Sequence, residues 1–223
     1  MSTCRVVVYG DGAYDLGPDL GEDVPARRAY ALPRLIHRLL REPPAVTYTA
    51  KRFPRIPPVH GRGHKYARKA MSAIRQARQG GYQAAAIVID RDRQRTSRKL
   101  VPLRAGRDQL EHQGFPPCAV GMAVEAFDAW MIADGSAVRA ADGDPAQSHP
   151  SPEALSGKEG TGGHPKDLAI RAFGGKRELA ANYAAIARNV DLALLERACP
   201  QGFAPFAEEV RGRVGPVVSR HAN

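Results

Sequence analysis

Asp90-Arg91-Asp92 directly follows the apolar run Ala84–Ile89 (AAAIVI). In extended backbone, residues two apart point to the same side, so both carboxylates can reach one cation. Hard oxygen donors suit Mg²⁺ or Mn²⁺, ions that take one or two carboxylates and leave the remaining positions to water and phosphate. Glu125 and Asp128 stand three apart in Val124–Ala133, a segment that reads as a helix, so they are expected to share a face that looks back at the same place. Asp11, with Asp15 nearby, follows a β-branched run, Arg5–Tyr9. These acids thus follow three separate predicted strands, and in open α/β sheets the ligand sits beyond the carboxyl ends of the strands. Like charges gathered there repel unless a cation lies between them. Each acid also has a plain structural role open to it. Asp11 between glycines suits a turn, and Asp90 or Asp92 suits a helix N-cap or a partner for Arg91 and Arg93. Glu125 and Asp128 suit the positive end of a helix dipole.

Basic residues surround these acids. From Lys51 to Arg78 there are nine Lys and Arg and no acid, and from Arg91 to Arg107 there are seven, with Asp92 the only acid. Arg52, Arg55, Arg62, Lys65, Arg68, Lys69, Arg91 and Arg93 are the candidates for gripping a nucleic-acid backbone, where phosphate contacts supply affinity without reading sequence. A solvated helix face is the competing account of the same charges. His60-Gly61-Arg62-Gly63-His64-Lys65 opens a helix, and glycine-rich turns at helix starts can cradle phosphate, but the P-loop and dinucleotide fingerprints are absent. Gly157–Gly163 follows no strand and reads as a flexible loop. No Ser, His or Cys spacing singles out a nucleophile triad.

These residues need a scaffold, and the hydrophobic pattern supplies one. Strands are predicted at 5–9, 45–50, 84–89 and 117–122, and helices at 26–41, 61–78, 100–113 and 124–133. Glu42-Pro43-Pro44 and Gly80-Gly81 stop two of the helices. Residues 13–25 read as a Gly/Pro/Asp-rich loop. The alternation predicts an α/β fold: a mainly parallel, Rossmann-like sheet flanked by helices, over residues 1–138. Residues 139–223 read as a loop followed by helical stretches at 166–173, 178–189, 191–198 and 203–213, an α-helical C-terminal extension packed on that domain.

The 223 residues carry 33 Lys and Arg against 23 Asp and Glu, a net charge of +10 that favours polyanionic partners. A chain this long buries a core without disulfide or metal staples. Cys4, Cys118 and Cys199 are odd in number and far apart, which fits neither a CxxC zinc site nor a disulfide framework. No run of eighteen apolar residues marks a membrane span, and the N-terminal MSTCRVVVYGDG lacks the pattern of a signal peptide. A reduced, cytoplasmic protein with no membrane partner is expected.

The order of strand, Asp11-Gly12, strand and Asp90-Arg91-Asp92 resembles the Toprim fold, the metal-binding domain of topoisomerases, primases and related nucleases. Val124-Glu125-Ala126-Phe127-Asp128-Ala129-Trp130-Met131-Ile132-Ala133-Asp134 is similar to an E-x-x-E-x-W-L-L-A-D signature of the Toprim-like DUF4276 family, whose members are sometimes found beside ATPases in defence loci. Pro165-Lys166 and Cys199-Pro200-Gln201-Gly202-Phe203 match further features of that family. The likeness covers most of the chain in element order, though about twenty residues carry it specifically. It departs at Asp11, where Toprim domains usually place a Glu that acts as general acid/base, and at Asp128, where the family often has Glu. A carboxylate moved by about one bond length bears more on catalysis than on metal binding.

The resemblance implies a Mg²⁺- or Mn²⁺-dependent phosphoryl-transfer enzyme, a nuclease acting on nucleic acid in phage defence. Asp90, Asp92, Glu125 and Asp128 would hold the metal. Asp11 and Asp90 would be catalytic, Asp11 by orienting or deprotonating the attacking water. Two alternatives stand beside it. One is a non-catalytic subunit with a degenerate site that binds nucleic acid or an ATPase partner. The other is an enzyme acting on a small phosphorylated substrate.

Overall fold

The computed structural model describes residues 3–18, 21–91 and 96–222. The architecture is α/β: a five-stranded, mostly parallel sheet with helices on both faces. The strands are β1 (Cys4–Gly10), β2 (Asp23–Pro25), β3 (Val46–Arg52), β4 (Ala84–Asp90) and β5 (Cys118–Ala123), in the order β2-β3-β1-β4-β5. β3, β1, β4 and β5 run parallel, and β2 is an antiparallel edge strand. From β1 the chain goes to β3 on one side, then returns across β1 to β4 on the other. A reversal of that kind opens a crevice beyond the carboxyl ends of the two central strands. Asp11 and Asp90 stand at those two ends.

The first helices are α1 (Ala13–Leu16), α2 (Ala31–Leu39), α3 (Lys65–Gln79) and α4 (Thr96–Glu111). Alternate residues of each strand serve opposite faces. Val7 and Tyr9 of β1, Ala85, Ile87 and Ile89 of β4, and Val120 and Met122 of β5 cluster with Ala70, Ala73 and Ile74 of α3 and Leu103 of α4. Val6 and Val8, Ala84, Ala86 and Val88, and Ala119 and Ala123 belong to the second cluster, with Leu32, Leu35 and Ile36 of α2. Burial on both faces explains why β4 is a continuous apolar run.

The same second cluster takes in residues well beyond 139. After β5 come α5 (Asp128–Met131), α6 (Gly135–Ala140), α7 (Pro165–Ala172), α8 (Leu179–Asn189), α9 (Leu192–Ala198), α10 (Phe203–Glu209) and α11 (Gly215–Ala222), with a π turn at Val210–Val214. Tyr183, Ile186, Phe203, Phe206 and Val210 join Val6, Val8 and Leu35 in one core. The 139–223 segment therefore completes one face of the sheet. Buried carboxylates pin it: Asp134 caps α6 and accepts from the Asp191 N–H at 3.0 Å, and Glu153 accepts from the Gln201 and Gly202 N–H groups, each at 2.8 Å. Gly121 lets this layer come close, because a Cβ there would lie 2.5 Å from the Phe206 ring.

Several boundaries differ from the sequence expectation. The predicted 13–25 loop holds α1 and β2. The helix predicted over 26–41 is helical only from Ala31, after a 3₁₀ turn at Ala26–Arg28, and the helix predicted from residue 61 begins at Lys65. The largest difference is at 124–133, where only Asp128–Met131 is helical, and Glu125 takes a left-handed φ of 63°. Glu125 and Asp128 therefore do not share a helix face. Apolar spacing could not distinguish a helix from this tight turn, because Val124, Phe127, Trp130 and Met131 are buried in either case. Among the described residues, no helix is long and apolar enough to cross a membrane.

Candidate functional site

The crevice between β1 and β4 holds two carboxylates in fixed poses. Asp11 Oδ2 accepts the Asp90 N–H at 2.9 Å. Asp90 Oδ1 in turn accepts the Phe127 N–H at 2.9 Å, and the Asp90 carbonyl accepts from Lys99 Nζ at 2.7 Å. Three segments remote in sequence are thus joined end to end: the β1 exit, the β4 exit and the turn after β5. The β4–β5 ladder closes just here, with Asp90 paired to Ala123 and the Arg91 N–H donating to the Ala123 carbonyl at 2.9 Å.

Glu125 sits on that turn. Its side chain is buried and ion-paired with Arg91. Its second oxygen, Oε2, is buried and has no hydrogen-bond partner among the described residues. A non-glycine residue at positive φ costs about 1–3 kcal/mol, and such strain clusters at functional sites. A buried oxygen without a partner is a further cost.

Behind Asp11 lies a buried group that the sequence reading named only as a neighbour. Asp15 accepts the Gly12 N–H at 2.8 Å. Burial pushes its carboxyl up to about 7, with the charges of Asp128 and Asp11 adding to the shift. Asp128 is also buried and raised, chiefly by burial, although the Tyr183 hydroxyl donates to its Oδ1 and works the other way. Period alone could not show this pair, since Tyr183 arrives from α8, 55 residues away.

The sign of the Asp15 shift gives a first expected result. An unfolded aspartate titrates near 3.8 and Asp15 in the fold near 7. Between those values the folded protein binds the extra proton, so this group's contribution to stability falls as pH rises through the window. Asp15→Asn keeps an oxygen for the Gly12 N–H and removes the titration. Its melting temperature should exceed that of the native chain above pH 7, and the difference should shrink on acidification toward 3.8. A difference constant with pH would contradict this.

Asp90, Glu125 and Asp128 line a cavity of about 360 Å³. The 139–223 segment contributes Lys158, Glu159, His164 and Lys166 to the same lining. Neither Lys158 nor Lys166 stood among the sequence-derived site residues, because nothing local in Gly157–Gly163 ties it to a strand end. That loop is also better fastened than its composition suggested. The Asp167 carboxylate accepts from the Gly160 and Gly162 N–H groups, and Arg171 donates to the Gly162 carbonyl at 2.9 Å.

Of the proposed phosphate-gripping residues, Arg55, Arg62 and Lys65 are exposed and Arg52 and Arg68 are half-buried. Lys69 is 8% exposed, its Nζ donates to the Pro54 carbonyl at 3.1 Å, and it lies over the Phe53 ring. Burial lowers its pKa, the Lys65 charge acts in the same direction, and Asp11 opposes them. Arg91 is likewise committed to Glu125. His64 caps α3 through Nδ1, which accepts the Tyr66 N–H, so it acts in the fold. Asp92 and Arg93 lie outside the described residues.

Among the described residues, no three His, Cys, Asp or Glu side chains form a group able to hold one metal ion. That argues against a zinc-type cage built from them, whereas Mg²⁺ asks for only one or two protein carboxylates and keeps its waters. Glu125 Oε2, buried and unpartnered beside Asp90 and Asp128, is a donor of the right kind. No protein-family model, curated protein or solved structure matches this chain.

Proposed function

We propose that this chain is a Mg²⁺-dependent phosphoryl-transfer enzyme with a Toprim-like site, hydrolysing phosphodiester bonds of nucleic acid. One observation carries the reading. The Asp11 carboxylate accepts the Asp90 N–H across the switch point of a parallel sheet, and the Asp90 carboxylate, held by the Phe127 N–H, lines a cavity that Lys158 and Lys166 also line. Asp90 and Glu125 would hold the ion, with Asp92 and Asp128 the remaining candidates. When bound, the metal would stabilise charge on the phosphate and make a bound water more acidic. The chain's own groups do the positioning. The Phe127 N–H fixes the Asp90 carboxylate, and Asp11, held at the β4 exit, orients the attacking water. Exposed Arg55, Arg62 and Lys65, with Arg52, would hold the polymer backbone through phosphate contacts. The net charge of +10 supports a polyanionic substrate.

The test is cleavage of single- and double-stranded DNA and RNA with Mg²⁺ or Mn²⁺, native chain against Asp90→Ala. The variant is expected to lose about a hundredfold in rate, the scale of misplacing a reacting group by 1 Å. Equal rates would overturn the assignment.

A second reading rests on Arg91. Its guanidinium already neutralises Glu125, as a site without a metal would require. Under that reading the chain binds nucleic acid or an ATPase partner without cleaving anything. Mn²⁺ titration separates the two: no metal binding, with strongly salt-dependent nucleic-acid binding, favours the second.

A further inference from the structure

The cavity is lined by acids and lysines together, and one of those lysines is already paired with the protein's own acid. Lys166 Nζ and Glu159 Oε1 lie 2.7 Å apart. Glu159 is exposed, and Lys166 is less so. Burial acts to lower the Lys166 pKa, but Glu159 outweighs it and the net shift is upward, with Asp128 adding to it. Glu159 in turn is held below the usual carboxylate range, chiefly by its bond to Lys166.

The loop carrying Glu159 is built to present it. Gly160 and Gly162 take positive φ, and their N–H groups bind the Asp167 carboxylate on the first turn of α7. Thr161 closes the turn by donating to the Lys158 carbonyl at 2.6 Å. Gly157 packs against Gly163 with no room for a side chain, since a Cβ there would lie 2.6 Å from the Gly163 carbonyl carbon. His164 caps α7, its Nδ1 accepting the Lys166 N–H at 3.2 Å, which fixes the stem of Lys166. Glu125 lines the same cavity, and its Oε2 is buried with no hydrogen-bond partner among the described residues. That atom points to a ligand carrying positive charge or a donor, and Lys166 to one carrying negative charge.

Resting on the reading above, we propose that Lys166 is a phosphate-binding residue of this site and that Glu159 is a built-in placeholder, a carboxylate that occupies Lys166 until a substrate phosphate displaces it. A carboxylate is a fair substitute for a phosphate oxygen pair in charge-assisted hydrogen bonding. An ion pair with one member exposed is weakly held, so exchanging it for phosphate costs little.

The test measures binding of a short fluorescein-labelled single-stranded DNA by anisotropy, in EDTA so that no divalent metal takes part. Inorganic phosphate, titrated by calorimetry, forms a second arm. Glu159→Gln should tighten binding about threefold, the scale of one exposed ion pair. Lys166→Ala should weaken it about tenfold, the scale of one charge-assisted hydrogen bond. In the Lys166→Ala background, Glu159→Gln should change nothing, because the placeholder acts only through that lysine. A gain that persists without Lys166 would reveal mere loss of negative charge and overturn the proposal, as would no gain from Glu159→Gln. A gain for inorganic phosphate alone keeps the placeholder and overturns the nucleic-acid reading. Mn²⁺ binding to the native chain and to Asp90→Ala reports on the metal independently of all three variants.

Discussion

Trp130→Ala is expected to destabilise the protein by about 3–5 kcal/mol, the range for removing a fully buried large aromatic side chain. Trp130 has no exposed surface. Its ring stacks on Phe206 at a centroid distance of 5.7 Å, meets Phe203 edge-on at 5.1 Å and lies 5.3 Å from Phe127. It therefore joins the turn after β5 to α10, which ties the site segment to the end of the chain. Domains are typically stable by only about 5–15 kcal/mol, so the loss is a large share of the total. At this length the melting temperature should fall by roughly 10 °C, at about 2–4 °C per kcal/mol. Phe127 loses a packing partner in the same variant, and its N–H is the group that fixes Asp90. Under the proposed function, nucleic-acid cleavage should therefore decline below the melting transition as well. Trp130→Phe, which keeps a ring in the stack, should recover most of the loss. Thermal melts of the three proteins check this, and a shift under 2 °C for Trp130→Ala would contradict the packing account.

Gly106→Leu is expected to cost more than about 3 kcal/mol, beyond the usual penalty for overpacking, because the obstacle is backbone. Gly106 lies inside α4 where that helix crosses α3. A Cβ there would clash with the Ala67 carbonyl oxygen and sit 2.8 Å from Ala67 Cα. Neither atom can swing aside as a side chain would. Helix propensity alone says the opposite, since replacing an interior glycine by leucine normally gains several tenths of a kcal/mol. The sign of the effect therefore tests whether packing of α3 on α4 outweighs local preference. The consequence extends to the site, because α3 carries Lys69 and α4 carries Lys99, which donates to the Asp90 carbonyl. Urea unfolding of Gly106→Ala and Gly106→Leu should show destabilisation that grows with side-chain size. A stabilised Gly106→Ala would mean that the helices separate freely.

Much of the scaffold was legible before any coordinates. The run Ala84–Ile89 reads as a strand covered on both faces, and it is one. Helical spacing in Leu32, Leu35, Ile36 and Leu39 locates α2, and two left-handed residues, Arg41 and Glu42, end it beside the predicted Glu42-Pro43-Pro44 stop. These features are legible because they depend on neighbours within a few residues, where backbone sterics and side-chain period act alone. The acids after the strands were legible for a related reason: the chain must leave a parallel sheet at its carboxyl edge, so a polar residue following an apolar strand falls there.

Which of those acids meet, and what faces them, had no local signature. The pairing of β1 with both β3 and β4 brings Asp11 to the Asp90 N–H over 79 positions of chain. The left-handed turn at Glu125 replaces a predicted helix and re-aims the Phe127 N–H. Tyr183 reaches Asp128, and Lys166 reaches the same cavity, only because the 139–223 segment folds back over the sheet. The amino-acid sequence by itself set the four parallel strands, most of the helices between them, their order and the acidic and basic stock of residues, since these follow from local period and composition. The tertiary structure alone decided the Asp15–Asp128 burial, the withdrawal of Lys69 from the surface and the lysines that line the cavity. Burial and long-range charge depend on what packs against a residue, and that is fixed only when the whole core closes.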